Sequence, residues 1–230
     1  IYLDGFQWAS PDSKLLDIEP GQGGKLTEVP AYDVTKSTEI HKFKAEFPEK
    51  GYMVFSRSYV RPVNYTTEPE RDELTDNLKM FAAPGEYEPV TFSIRTNKHL
   101  KDVSVRVTGD LVAGAERISK DAIDVRTVSY MTRWIDSRYY EKRQYLLMKK
   151  DSLDIDPMHT QRFWITVKVP EIAKPGKYQT DMVVKSASGQ LEKLKLELDV
   201  LPIELDDLKD INYFMYFRPE RLPLWDRTPE

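Results

Sequence analysis

The stretch from Arg162 to Val184 constrains the fold of this chain more than any other part of its sequence. Apolar Phe163, Ile165, Val167 and Val169 alternate with Trp164, Thr166 and Lys168, and a second alternating run follows a turn around Pro175. Alternation with a period of two is typical of a β-strand that buries one face. The stretch therefore predicts a β-hairpin with one buried face.

The same pattern recurs in both directions along the chain. A turn at residues 84–89 precedes an alternating run, and between residues 191 and 201 the leucines recur every second position, which favours a strand over a helix. The predicted strands are 52–60, 78–81, 88–96, 102–107, 123–130, 162–169, 178–185 and 191–201. This spacing predicts an all-β fold, an antiparallel β-sandwich of the Ig-like or jelly-roll-like kind. The predicted core consists of Phe92, Ile94, Val105, Phe163, Ile165, Val167, Val183, Leu196 and Leu198.

The composition changes at both ends of this pattern. Residues 1–47 are rich in turn signals and predict an irregular N-terminal extension, whereas residues 48–205 form the sandwich. Residues 206–230 contain the aromatic run INYFMYF, which predicts a linker and the first strand of a following barrel domain. We therefore expect the chain to be a processed or trimmed piece of a longer protein.

Several motifs carry a family resemblance: APGEYEPVTFSIR, LKDVSVRVTGDL, VRTVSY, QRFWITVKVP and KPGKYQTDMVV. Together they resemble the β-sandwich domain that precedes the barrel in bacterial glycoside-hydrolase-like proteins related to β-N-acetylgalactosaminidases. The resemblance implies an exported parent protein, with catalysis by an acidic pair in the barrel. Because no counterpart of that pair precedes Glu230, no catalytic residue is assigned here, and we expect no hydrolase activity from this chain alone.

Composition excludes several other classes of function. The formal net charge of −4, with both signs well mixed, argues against a nucleic-acid partner. No apolar run reaches the roughly 18 residues of a membrane span. The absence of cysteine excludes disulfides and thiolate metal sites, and His41, His99 and His159 lie too far apart in sequence for a histidine zinc motif. We expect no cofactor.

The best candidate for a binding surface is the segment from Tyr130 to Met148, in which aromatic residues alternate with arginines. Its candidate contact residues are Arg133, Trp134, Arg138, Tyr139 and Tyr140. Aromatic rings stack on sugar rings, but tyrosine, tryptophan and arginine are also enriched at protein interfaces. The segment is interpreted as a long loop that contacts the next domain, contacts a glycan or covers the core.

Two clusters of acidic residues are interpreted as a weak calcium candidate and as a solvated loop. Asp151, Asp154 and Asp156 offer three carboxylates that make a weak calcium candidate, although the spacing departs from that of an EF-hand, and a solvated loop is the alternative. The acidic residues between positions 66 and 77 predict a solvated loop.

The leading hypothesis is a non-catalytic accessory domain that packs against a C-terminal catalytic barrel. The alternatives are a stand-alone carbohydrate-binding module that uses the aromatic segment, and a complete small enzyme. We also expect residues 130–145 and the tail at 211–225 to lie near one face, because both are too aromatic to remain fully hydrated.

Overall fold

A computed structural model describes residues 47–136 and 139–205, which form β-strands joined by turns and two short 3₁₀ segments. Nearly all of the predicted N-terminal extension and the whole tail after Leu205 lie outside the described residues. The strands are β1 Tyr52–Phe55, β2 Asn77–Ala82, β3 Tyr87–Thr96, β4 Leu100–Val107, β5 Leu111–Ala113, β6 Glu116–Ile118, β7 Ile123–Asp136, β8 Tyr139–Met148, β9 Leu153–Ile155, β10 Thr160–Lys168, β11 Gly176–Ser186 and β12 Gly189–Val200.

The strands form two sheets that face each other across one apolar core. The five-stranded sheet has the order β1-β3-β10-β7-β8, and all of its pairs are antiparallel. The second sheet has the order β2-β12-β11-β4-β9, with the β5–β6 hairpin attached to β11. The predicted all-β sandwich is confirmed, with one departure: β2 runs parallel to β12.

The core follows the predicted alternation closely. Seven of the predicted core side chains are buried, and the rings of Phe92 and Phe163 stack with centroids 5.0 Å apart. Val105 is partly buried and packs against the core. Val183 was assigned to the wrong face, because β11 turns Met182 and Val184 inward.

The prediction of a hairpin between Arg162 and Val184 is wrong. β10 pairs with β3 and β7, whereas β11 pairs with β12, β4 and β5 in the other sheet. The connection between them contains Pro170 and Pro175, neither of which can donate a backbone hydrogen bond. Both strands still bury the alternating face that the sequence shows, because they contribute to the same core from opposite sides.

The predicted first strand also ends earlier than expected. β1 stops at Phe55, and Tyr59 and Val60 lie in a turn. Residues 56–76, which we call the covering loop, lie against the outer face of the five-stranded sheet. There the Thr67 carbonyl accepts a 2.6 Å hydrogen bond from the Thr160 hydroxyl, and the Arg61 carbonyl accepts one of 2.9 Å from Arg162.

One edge of β3 is open for part of its length. β3 pairs with β10 from Tyr87 to Arg95, but with β1 only from Ser93 to Thr96. The carbonyl of Thr91 accepts a 2.9 Å hydrogen bond from Ser56 Oγ on this edge. Backbone groups two residues apart in a strand face the same side, so Pro89 also faces the open edge and presents no N–H there.

Candidate functional site

The aromatic segment is a β-hairpin and not the loop that the sequence suggested. β7 and β8 remain paired up to the turn of the hairpin, with Arg133 opposite Glu141 and Trp134 opposite Tyr140. Tyr139 opposes Asp136, while Arg138 lies outside the described residues. The other four candidate residues therefore belong to one end of one hairpin, at the edge of the five-stranded sheet.

The other end of this hairpin is tied to the covering loop. Gln144 Nε2 donates a 2.6 Å hydrogen bond to the carbonyl of Val63. The ring of Tyr65 meets Tyr130 edge-on at 5.5 Å and lies over His159, with centroids 3.9 Å apart. Lys142 Nζ lies 4.6 Å from the centroid of Tyr65. The hairpin is thus held in a fixed orientation by aromatic and polar contacts near its base.

Arg162 is the central polar residue beneath the covering loop. Its side chain is fully buried, and it donates to the carbonyls of Arg57, Ser58 and Arg61 at 3.2, 2.9 and 2.9 Å. It also donates a 2.7 Å hydrogen bond to Thr91 Oγ1. Burial lowers the pKa of Arg162 to about 10, and no carboxylate among the described side chains pairs with it.

Two further arginines are buried on the same face. Arg57 donates to both carboxylate oxygens of Glu73, at 2.5 and 2.7 Å, and both side chains are buried. Arg95 donates to Glu68 at 3.2 Å and to the carbonyl of Met158 at 2.9 Å. The acidic segment is therefore only partly solvated, because Glu73 neutralises a buried charge. These contacts fix the covering loop to the sheet.

The first residues of the covering loop contribute to a second aromatic group on the outer face. Trp164 on β10 lies 5.9 Å from Tyr59, centroid to centroid, with the rings tilted by 60°. Arg126 is directly opposite Trp164 on β7 and forms a 2.5 Å ion pair with Asp124. Sequence alternation identified Trp164 as outward-facing, but nothing local indicated that Tyr59 would be brought beside it.

An open cleft of about 310 Å³ lies between β2 and β3, where the two sheets meet at one side. We call it the exit cleft; its lining includes Tyr59, Lys79, Phe81, Glu88 and Pro89. Tyr59 is 39% exposed and Phe81 is 65% exposed, which is high for aromatic side chains. Burial, with a smaller contribution from Glu86, raises the pKa of Glu88.

The aspartates of the weak calcium candidate separate into two groups. Asp154 and Asp156 flank His99, at 3.5 and 3.9 Å from its Nε2, and Asp154 accepts a 2.9 Å hydrogen bond from the backbone N–H of Asp102. Asp151 takes no part in these contacts. Among the described side chains, no three histidines or carboxylates group closely enough to hold a metal ion.

Within residues 47–136 and 139–205, no helix has the length and apolar character that crossing a membrane requires.

Comparisons with solved structures and with known sequences gave the following similarities. A solved family 123 glycoside hydrolase from Clostridium perfringens, studied for glycolipid glycan hydrolysis, matches 55% of this chain at 19% identity with a TM-score of 0.51. This chain spans only 23% of that protein's length. A PapD-like domain of human CEP192 matches 74% of the chain, and 99% of that domain is covered, at 10% identity with a TM-score of 0.37. No curated protein sequence matches the chain significantly.

The family assignment rests on the sequence itself. The model of the glycoside hydrolase 123 N-terminal domain matches residues 61–186, from the covering loop through β11. That span is more than half of the 230 residues and includes the central strands of both sheets. The chain therefore belongs to the family of glycoside hydrolase 123 N-terminal domains.

Proposed function

We propose that this chain is a non-catalytic accessory domain that packs against the catalytic barrel of an exported glycoside hydrolase. The observation that carries the proposal is the family match over residues 61–186, which describes an N-terminal domain of hydrolases. The similarity to the Clostridium perfringens hydrolase supports it, since the match covers only 23% of that enzyme. The remainder of such an enzyme has room for a separate catalytic domain.

The buried charges of the sandwich suit a structural role. Glycoside hydrolysis requires carboxyl groups that reach the sugar. Glu73, which is buried, accepts hydrogen bonds from two nitrogens of Arg57, and Glu68 accepts one from Arg95. These carboxylates fix the covering loop to the sheet and leave little freedom for acid–base chemistry.

The proposed contact with the barrel is the end of the β7–β8 hairpin. It carries Arg133, Trp134, Arg138, Tyr139 and Tyr140, residue types that dominate binding energy at protein interfaces. Contacts of Gln144 and Tyr130 with the covering loop fix the described part of this hairpin. Strands that are already paired lose little backbone conformational entropy on docking.

The test compares this chain with the longer parent protein on β-N-acetylgalactosaminide substrates. We expect turnover from the parent and none from this chain. In the parent, Trp134→Ala together with Tyr140→Ala should lower the thermal stability of the barrel, whereas Ile172→Ala, a change in an exposed loop, should not. Turnover by this chain alone would exclude the accessory role.

A stand-alone carbohydrate-binding module is the second candidate, and the pairing of Trp164 with Tyr59 beside Arg126 favours it. Rings next to hydrogen-bonding side chains suit the two faces of a sugar. Titration of the chain with glycans, followed by tryptophan fluorescence, tests this candidate. Saturable binding that is lost in Trp164→Ala or Trp134→Ala would support the module, and its absence would leave the accessory role.

A further inference from the structure

The described residues leave part of the outer face of the five-stranded sheet exposed. The covering loop bonds to β10 at Thr160 and Arg162, which are buried, whereas Trp164 and Thr166 are partly exposed and Lys168 is exposed. From Arg162 onwards these side chains alternate with side chains of the apolar core, so they point to the outer face. The half of β10 after Arg162 is therefore accessible to a ligand.

One side of this exposed surface is polar. On β7, Arg126 is the register partner of Trp164, and Asp124 is the register partner of Thr166. Arg126 and Asp124 form an ion pair of 2.5 Å, and their side chains are 42% and 41% exposed. The pair therefore presents hydrogen-bond donors and acceptors to solvent directly beside the Trp164 ring.

The other side of the surface is aromatic. Tyr59 of the covering loop lies beside Trp164, and Tyr87 on β3 is the register partner of Lys168. Lys168 Nζ lies 5.3 Å from the centroid of the Tyr87 ring, and Tyr87 is 62% exposed. Because Lys168 follows Trp164 by four residues, the two aromatic positions lie about 13 Å apart along the strand. We call the whole surface the outer strip, and its side chains are Tyr59, Tyr87, Asp124, Arg126, Trp164 and Thr166.

The chemistry of the outer strip suits an oligosaccharide. A pyranose ring stacks its apolar face on an aromatic ring, while its hydroxyls bond to polar side chains at the rim. Trp164 offers such a ring, and the Arg126–Asp124 pair lies within reach of the hydroxyls. Tyr87 is too far from Trp164 for a single sugar unit to contact both. A ligand that uses the whole strip therefore contains several units.

A protein partner fits the outer strip less well. Lysine and aspartate are depleted at protein interfaces, and charged residues are depleted at their cores, whereas Asp124 and Lys168 stand among the aromatic rings here. An apolar partner would also have to remove the Arg126–Asp124 pair from water, which is costly. Sugar hydroxyls can replace the hydrogen bonds that this pair makes with water. Because Asp124 compensates the charge of Arg126, the strip favours a neutral glycan over an acidic one.

We propose that the outer strip binds a neutral oligosaccharide that runs along β10, with one sugar unit on Trp164 and Tyr59 and another beside Tyr87. The inference deepens the second candidate function and rests on it. It adds the class of ligand and the strands that bind it. The end of the β7–β8 hairpin, which carries Trp134, takes no part in this site.

Isothermal titration calorimetry of the full chain tests the site. The probes are neutral hexasaccharides of the cellulose, chitin, xylan and mannan types, their monosaccharides, and one acidic hexasaccharide of the hyaluronan type. We expect saturable binding of at least one neutral hexasaccharide. Its monosaccharide should bind at least ~10-fold more weakly, because it reaches only one of the two aromatic positions. Equal affinity of the two, or tightest binding of the acidic probe, would overturn the proposal.

Single substitutions locate the bound glycan. Trp164→Ala and Tyr87→Ala should each weaken binding by at least ~10-fold, because each removes a stacking ring. Since Tyr87 is mostly exposed, its loss should leave the sandwich folded, and urea unfolding checks this for both variants. Phe81→Ala is the matched control, because Phe81 is an equally exposed aromatic residue on the other sheet. An equal loss in Phe81→Ala would move the ligand to the exit cleft and overturn the proposal.

Two further outcomes separate this inference from the function on which it rests. Binding that survives Trp164→Ala and Tyr87→Ala but is lost in Trp134→Ala would overturn the outer strip and keep the carbohydrate-binding module, with its ligand on the hairpin. Absence of saturable binding to every hexasaccharide would overturn both the outer strip and the module.

Discussion

The hydroxyl of Thr91 accepts a 2.7 Å hydrogen bond from the guanidinium of Arg162 and donates one of the same length to the carbonyl of Arg57. Thr91 belongs to β3, Arg162 to β10 and Arg57 to the covering loop. One hydroxyl thus connects two sheet strands to the segment that covers them. The outer face of the five-stranded sheet is therefore a second, polar core.

Arg162→Ala should lower the unfolding free energy by about 3 kcal/mol or more. The change leaves the carbonyls of Arg57, Ser58 and Arg61 without their buried donor, and each such loss is costly. Urea unfolding of the purified chain measures the effect. Arg126→Ala is the control, since its ion pair with Asp124 is largely exposed and should contribute about 0.5 kcal/mol or less. Equal losses from the two variants would show that the covering loop does not depend on Arg162.

Glu73→Ala should destabilise the chain by about 3 to 5 kcal/mol, because it leaves the buried charge of Arg57 without its main counterion. The double variant Arg57→Met with Glu73→Leu should recover most of that loss, since it removes both charges and refills their volume. Denaturant unfolding of these two variants and of the unsubstituted chain measures both effects. A double variant no more stable than Glu73→Ala would argue that the pair itself is net stabilising.

Two adjacent residues of β11 test which face of that strand is buried. Met182→Ala should cost about 2 to 5 kcal/mol, because the side chain is fully buried between the sheets. Val183→Ala should cost about 1 kcal/mol or less, because Val183 faces away from the core. Thermal and urea unfolding of both variants provide the comparison. A larger loss of stability from Val183→Ala than from Met182→Ala would show that the register of β11 is shifted by one residue.

The pH dependence of stability should contain a contribution from Glu88. Burial raises the pKa of this carboxyl above its ordinary value of 4.5, so the folded chain binds the proton more tightly than the unfolded chain. Unfolding then releases protons, and the unfolding free energy falls as the pH rises from 4.5 through the raised pKa. Glu88→Gln should be more stable than the unsubstituted chain at pH 7, and this advantage should vanish below pH 4. Parallel stability curves for the two proteins would contradict the assignment.

The sequence predicted eight of the twelve strands, and the buried face of most of them, because both depend on local alternation. Phe163, Ile165 and Val167 are buried as their spacing indicated. Alternation does not show which sheet a strand joins, since strands of either sheet turn the same pattern toward one core. That is why the chain from β10 to β11 looked like a hairpin although its strands lie in opposite sheets.

The polar core could not be predicted in this way. Arg162 occupies an outward position in β10, where an arginine is normally solvated. It is buried only because the covering loop, about a hundred residues earlier in the sequence, lies over it. Glu73 was likewise assigned to a solvated loop, since its partner Arg57 stands sixteen residues before it. The aromatic and arginine content of the β7–β8 segment was visible in the sequence, but its hairpin geometry was not.

Because the chain crosses between the two sheets, the order of synthesis affects how the domain folds. β3 forms its longest ladder with β10, and β2 pairs with β12. Neither ladder can form before a distant part of the sequence has been synthesised. A chain emerging from the ribosome has only the short β1 to pair with β3 until Thr160–Lys168 has been synthesised. Before then, the exposed faces of Phe92 and Ile94 resemble those of an unfinished sheet, which attracts other chains. Folding should therefore be slow and nearly all-or-none, and chaperones that shield apolar strands should improve its yield.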